Sequence, residues 1–155
     1  MPKQSAGLLL YRKRRGSIEV FLVHPGGPFW ANKDDGAWSI PKGEFDACED
    51  PLEAAKREFQ EETSVVVVGK YLPLTPVRQR GGKIVYAWAV RSDLDAAMVK
   101  SNAFSIQWPP GSGKMREFPE IDRAKWFKII LARRKILKSQ LGLLEQLEQA
   151  VVSRG

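Results

Sequence analysis

The stretch Gly43-Glu44-Phe45-Asp46-Ala47-Cys48-Glu49-Asp50-Pro51-Leu52-Glu53-Ala54-Ala55-Lys56-Arg57-Glu58-Phe59-Gln60-Glu61-Glu62-Thr63-Ser64-Val65 contains a helix whose start can be read from side-chain chemistry alone. Asp50 suits the N-cap, Pro51 the first helical position and Glu53 the capping-box position. The spacing predicts a helix running to about Thr63, with Leu52, Ala55 and Phe59 on its apolar face. Glu58, Glu61 and Glu62 lie at i, i+3 and i+4, so they project from one face with neighbouring Cβ atoms about 5–6 Å apart. Like charges at that spacing cost a few tenths of a kcal/mol per pair, and the C-terminal half of a helix disfavours anions. A bound cation would compensate them. Hard oxygen donors select Mg²⁺ or Mn²⁺, and Mg²⁺ takes substrate phosphate oxygens alongside few carboxylates. Such a site fits phosphoryl transfer or hydrolysis. Taken alone, the Glu58-Phe59-Gln60-Glu61-Glu62 string is better explained as a solvated acidic face neutralised by Lys56, Arg57 and other basic residues. The flanking residues have to decide.

Upstream, Ala6–Tyr11 and Ile18–Val23 read as strands joined by a basic, turn-like Arg12–Ser17, a hairpin pattern. Pro25–Gly36 is a loop rich in turn formers that also carries Phe29 and Trp30. Trp38–Ile40 reads as a short strand ending at Pro41. Downstream, the β-branched run Val65–Val68 is expected to be extended. Tyr71–Arg80 and Lys83–Arg91 read as strands around Gly81-Gly82, a second hairpin. Phe104–Trp108 reads as a further strand and Pro109–Gly113 as a loop. Lys125–Lys128, containing Trp126-Phe127, reads as a last strand or the start of a helix. Leu131–Val152 is expected to be helical, in two pieces broken near Ser139. Leu141, Leu144, Leu147 and Val151 form its apolar stripe, which core packing explains.

The chain has 155 residues, with 43% hydrophobic and 28% charged, which suits one soluble domain over residues 1–155. No run approaches the roughly 18–20 apolar residues of a membrane span. The first residues lack the apolar core of a secretory leader. Cys48 is the only cysteine, so no intrachain disulfide forms and a cytoplasmic location is expected. Lys and Arg outnumber Asp and Glu by 25 to 18. That balance favours anionic partners such as nucleotides or RNA, although a solvated basic surface explains it too.

Gly43, Glu49, Arg57, Glu58, Glu61 and Glu62 fall at the spacing G-x5-E-x7-R-E-U-x-E-E-x-G-U, with U bulky and apolar, and Phe59 and Val65 fill the two U positions. This resembles the box of the Nudix hydrolases, MutT-like enzymes. Ser64 stands where the pattern has glycine, a position that serves as a left-handed helix terminator. Cys48 falls in a variable position and reads as a loop residue, since no histidine is nearby in sequence to activate it. The resemblance implies an α/β (α+β) fold: an α/β/α sandwich with a mixed sheet, a catalytic loop-helix-loop and a C-terminal helix. It implies that Glu58, Glu61 and Glu62 bind Mg²⁺ or Mn²⁺, with one of them able to act as base. It also implies that the backbone at Gly43 supplies a carbonyl ligand and that Arg57 pairs with Glu49 to hold the helix. Glu117 and Glu120 are candidates for a further ligand or base from outside the box, or exposed loop acids.

The segment Trp38-Ser39-Ile40-Pro41-Lys42-Gly43 is similar to the W-x-x-P-K-G lead-in of Nudix proteins acting on diadenosine polyphosphates. The resemblance therefore favours an asymmetrical bis(5′-nucleosyl)-tetraphosphatase-like hydrolase of a nucleoside diphosphate-linked substrate. A MutT-like pyrophosphatase of oxidised nucleoside triphosphates is the alternative. A nucleotide-sensing or RNA-binding module on the same fold is the third reading. Lys42, Trp38, His24 and Lys33 are the substrate-binding candidates. Phe29 and Trp30 either stack on a base or pack in the core, and a lone His24 at a strand end is also readily a satisfied core histidine. Trp108 and the Pro109–Lys114 loop, with Arg78, Arg80 and Lys83, are further candidates for the pocket rim.

Overall fold

A computed structural model describes residues 3–153. Strand β1 (Gln4–Arg14) turns through Arg15-Gly16 into β2 (Ser17–Pro25). Both turn residues have positive φ, 51° and 79°, the geometry of a two-residue hairpin matched to strand twist. The strands thus run well into the basic segment that reads as a turn. The ladder continues through β3 (Lys42–Glu44), β4 (Tyr71–Pro73), β5 (Val77–Arg78), β6 (Ile84–Arg91) and β9 (Ile121–Lys128). The main path is β4-β6-β1-β2-β9, with β3 paired to β1 and β5 to β6. β1 and β6 are parallel and the other pairs antiparallel, so the sheet is mixed.

Several expected elements differ in extent. Tyr71–Arg80 is two short strands, because Pro73 and Pro76 cannot donate to a ladder. The Gly81-Gly82 hairpin forms, with Val77 opposite Val85. Trp38–Ile40 makes only isolated bridges, Val23 to Ser39 and Trp38 to Ile136. Val65–Val68 joins no ladder, although Val65 and Val67 pack inward while Val66 and Val68 are exposed. Ala103–Gln107 (β7) pairs with Met115–Pro119 (β8) in a separate two-stranded arm around the Pro109–Gly113 tip.

Two apolar layers cover the sheet. Helix α1 (Pro51–Thr63) lays Ala54, Ala55 and Phe59 on Leu8, Leu10, Phe21 and Val23. The other face of the same strands, Leu9, Val20 and Leu22, packs under α2 (Ile129–Lys135) and α3 (Leu141–Ser153), where Leu143, Leu144 and Leu147 are fully buried. The alternation is the strand period of two expressed as an α/β/α sandwich. Extended Ile136-Leu137 and a 3-10 turn at Lys138–Gln140 separate α2 from α3, close to the break expected near Ser139. Buried Gln140 accepts from the Ile40 N–H at 3.1 Å and donates to Ser39 Oγ at 2.9 Å. That link fixes the segment leading into β3. Among the described residues no helix is long and apolar enough to cross a membrane.

Candidate functional site

The site is assembled where β3 crosses the start of β1. Ser5, Ala6 and Gly7 pair with Glu44, Gly43 and Lys42. A Cβ on Gly7 would come within 2.4 Å of the Pro41 carbonyl oxygen, so the close approach requires glycine. α1 begins as its sequence predicts: Asp50 accepts from the Glu53 N–H at 3.1 Å and Pro51 opens the first turn. The helix ends at Ser64, with φ 64° and ψ 19°, the left-handed conformation that glycine takes most easily. The Ser64 N–H closes the helix onto Gln60 O at 2.8 Å and its Oγ donates to Lys100 O at 2.6 Å. The hydroxyl thereby anchors the following segment while occupying a glycine position.

With Phe59 and Thr63 turned into the core, Glu58 and Glu62 face β3. The Glu58 carboxylate lies against Gly43, whose added Cβ would fall 1.8 Å from Oε2. Glu62 Oε2 accepts from the Lys42 N–H at 2.8 Å. Burial pushes the Glu62 carboxyl up to about 7, and the neighbouring charges of Glu58 and Glu120 push the same way. Burial raises Glu58 as well, against the opposing pull of Arg57. Burial also lowers the Lys42 ammonium, with Lys83 adding like-charge repulsion.

Arg57 organises the outer side. Its Nε and Nη2 donate to the two oxygens of Glu49 at 2.8 Å each, a bidentate pair tying α1 to the preceding loop. Its Nη1 donates to Glu58 Oε1 at 2.7 Å and reaches Glu61 at 3.3 Å. With these contacts in place, no three acidic, histidine or cysteine side chains among the described residues converge on one cation position. The donor set nonetheless suits a hard cation. Among the described residues Glu58 Oε2 and Glu62 Oε1 have no hydrogen-bond donor, and Gly43, paired with Ala6, presents no side chain beside Glu58.

A cavity of about 200 Å³ opens beside Glu62. Trp30, Ile40 and Ile121 give it apolar walls, and Lys42, Glu62 and Glu120 its polar end. Glu120 is placed there by the bend between β8 and β9, where Gly26 packs so closely that a Cβ would meet the Pro119 carbonyl at 1.9 Å. Its pairing with this pocket is a long-range product of the β7–β8 arm, for which the sequence pattern offers only a weak alternation. Glu117 lies out on the exposed arm, away from the cavity lining.

Two substrate-binding candidates prove to be framework. His24 is fully buried, with Nδ1 2.7 Å from Asp122 Oδ1 and Nε2 2.7 Å from Lys33 O. Neither ring nitrogen is left for a substrate. Trp38 is also buried, edge-on to Phe127 and His24, with Nε1 donating to Asp34 at 2.8 Å. Lys33 does approach the pocket wall, its Nζ 5.0 Å from the centre of the Trp30 ring. Phe29 stands edge-on to Trp108 at 5.4 Å and joins the loop to the arm outside the cavity. Among the other rim candidates Lys83 bonds Glu44 at 3.2 Å. Cys48 is exposed in the loop.

The sequence matches the NUDIX domain family over residues 1–147. The chain belongs to the Nudix family. The Glu49–Arg57–Glu58–Glu61–Glu62 assembly just described lies within the matched span. The Nudix chain is 38% identical over 65 residues to an asymmetrical bis(5′-nucleosyl)-tetraphosphatase of Caenorhabditis elegans, covering 42% of this chain and 43% of that protein. It is 30% identical over 135 residues to an octanoyltransferase of Myxococcus xanthus, covering 87% of this chain and 33% of that one. It thus spans less than half the length of either curated relative. A binary complex of the C. elegans Ap4A hydrolase shares the fold with a TM-score of 0.62 at 23% identity, over 97% of this chain and 98% of that one. The NUDIX domain of Shewanella oneidensis NrtR, in complex with ADP ribose, shares it with a TM-score of 0.66 at 17% identity, over 97% and 89%.

Proposed function

We propose that this Nudix domain is a divalent-cation-dependent hydrolase that cleaves a phosphoanhydride bond in a nucleoside diphosphate-linked substrate, with diadenosine polyphosphate favoured. The observation that carries the reading is the desolvated Glu62 carboxylate, held by the Lys42 N–H beside Glu58, which packs against Gly43. Glu58, Glu61 and Glu62, with the Gly43 carbonyl, would hold Mg²⁺ or Mn²⁺. When bound, the cation would neutralise polyphosphate charge and acidify a water. Glu58 and Glu61 would have to give up their hydrogen bonds from Arg57 Nη1 to hold it, while the Arg57–Glu49 pair keeps the helix and loop in register. Glu62, with a carboxyl near neutrality, accepts the proton of the attacking water. The water oxygen bonds to phosphorus in line, the opposite P–O bond breaks, and the phosphorylated nucleoside leaves with the bonding electrons.

Lys42 and Lys33 supply positive charge for the phosphates, and Trp30 offers a face on which a base stacks. Glu120 is a further base or ligand at the polar end of the pocket. The curated tetraphosphatase likeness and the W-x-x-P-K-G lead-in support the dinucleotide choice. A cavity of about 200 Å³, below the roughly 300–1,000 Å³ of drug-sized sites, accommodates a single base. That observation favours the second reading, an oxidised nucleoside triphosphate pyrophosphatase. A purely sensing or RNA-binding module has no use for a full set of box carboxylates. A substrate panel with Mg²⁺ and product identification by mass tests these readings. Cleavage of diadenosine tetraphosphate is expected. An intact dinucleotide alongside a cleaved oxidised dNTP would move the assignment to the second reading, and no cleavage of any anhydride would overturn the hydrolase.

A further inference from the structure

On the sheet face covered by α2 and α3, a second cavity of about 600 Å³ lies beyond the end of the helical layer. Its floor is Ala89 of β6 and Leu72 of β4, which are register partners, and its walls are Tyr11 of β1 and Val151 of α3. Lys13 follows Tyr11 by two residues and Arg91 follows Ala89 by two, so the strand period brings both cations to the same face. Lys70 joins them at the rim. Tyr11 and Arg91 are themselves partners in the parallel β1–β6 ladder.

The lining holds three cations and no carboxylate. Among the described residues none of Lys13, Lys70 and Arg91 has an acidic group within ion-pair distance. The nearby acids are engaged elsewhere: Glu19 and Asp93 each bond Arg12 at 2.7 Å, and Arg12 lies over the Trp126 ring against the α1-side layer. Elsewhere Arg57 is matched to Glu49 and Lys135 to Asp34 and Asp35. Three gathered like charges without a partner repel unless an anion sits between them. An aromatic wall and apolar floor beside them add a place for a planar ring. The volume falls within the range of small-molecule sites, about 300–1,000 Å³. The box pairs with β1 at Ala6 and Gly7, four or more residues from Tyr11, which is roughly 13 Å along a strand. α1 lies on the opposite face.

We propose that this cavity is a second nucleotide site, holding the base against Tyr11 and the apolar floor and the polyphosphate on Lys13, Lys70 and Arg91. Without a carboxylate in its lining it binds and does not hydrolyse. The proposal stands independently of the activity assigned to the box.

Titration calorimetry of the full chain with ATP and with inorganic tripolyphosphate, in chelator so that the box carboxylates repel polyphosphate, tests it. Wild type is expected to bind both, more weakly as salt is raised. Lys13→Gln/Arg91→Gln should weaken both about tenfold, and Lys70→Gln should weaken both to a smaller extent. Tyr11→Leu, which keeps an apolar side chain on the core, should weaken ATP and leave tripolyphosphate unchanged, the latter also reporting an intact fold. Lys42→Gln should leave both affinities unchanged. The proposal is overturned if wild type binds no ATP, or if binding survives the rim variants and is lost in Lys42→Gln. It is equally overturned if an RNA oligomer or anionic vesicles bind where ATP does not.

Discussion

Glu62 concentrates the conflict between stability and chemistry in one side chain. Its carboxyl is pushed up to about 7 by burial, from an unfolded value near 4.5. Its proton is therefore held more tightly in the folded state, and the folded state is favoured most below pH 4.5 and loses that advantage as pH rises through about 7. In chelator, Glu62→Gln should melt at a higher temperature than wild type at pH 8, and the gap should close on acidification to pH 4. The amide keeps an oxygen for the Lys42 N–H but cannot accept a proton, so turnover with Mg²⁺ should fall by roughly 10²-fold or more. Unchanged turnover would count against Glu62 as a base or ligand. The three carboxylates and their common face were legible from spacing. The raised proton affinity was not, because it arises from β3 and the pocket wall closing over the side chain.

The terminus of α1 shows a local rule satisfied by an unusual residue. An L side chain in the left-handed conformation costs roughly 1 kcal/mol, and a hydrogen bond of the Ser64 kind contributes about 0.5–1.5 kcal/mol. The two nearly offset. Ser64→Ala keeps the strain and loses the bond to Lys100 O, so it should destabilise by about 1 kcal/mol in chemical denaturation. Ser64→Gly loses the bond and the strain together and should change stability by less than about 0.5 kcal/mol. If alanine proved no worse than glycine, the account of the hydroxyl would fail. The cap and first turn of this helix were readable, since each depends on contacts within a few residues; its apolar face was read only in part, because Ala55 and Phe59 are buried with Ala54 and Thr63 while Leu52 stays half-exposed. The β7–β8 arm was read only as one strand, because Phe118 finds its apolar partner in Phe104 rather than in a repeating pattern of its own.

At the scale of the molecule, the aromatic-rich loop after β2 is bound to the C-terminal layer by Asp34 and Asp35. Lys135 Nζ donates to Asp34 at 2.6 Å and lies 2.9 Å from Asp35, while Trp38 Nε1 donates to Asp34 at 2.8 Å. The bond from Lys135 first, and that from Trp38 second, lower the Asp34 carboxyl to about 2, from 3.8 in its ordinary state. A depressed carboxyl stabilises the fold above its unfolded value and loses that contribution as pH falls through its folded one. Asp34→Asn should therefore melt below wild type at pH 7, with the difference shrinking between pH 4 and pH 2. A difference independent of pH would show that the link contributes no charge interaction.

What the sequence determined by itself was short-range: the α1 start and stop, the placement of Glu49, Arg57, Glu58, Glu61 and Glu62, the two hairpins and the broken C-terminal helix. Caps, turns and periodicities act over a handful of residues and leave their marks in order along the chain. The tertiary structure alone decided that His24 and Trp38 are buried and that Glu120 shares a pocket with Glu62. Each of these depends on strands far apart in sequence meeting in one register, β3 against β1 and β9 against β2. Burial, which sets proton affinity and access to substrate, exists only once that register has formed.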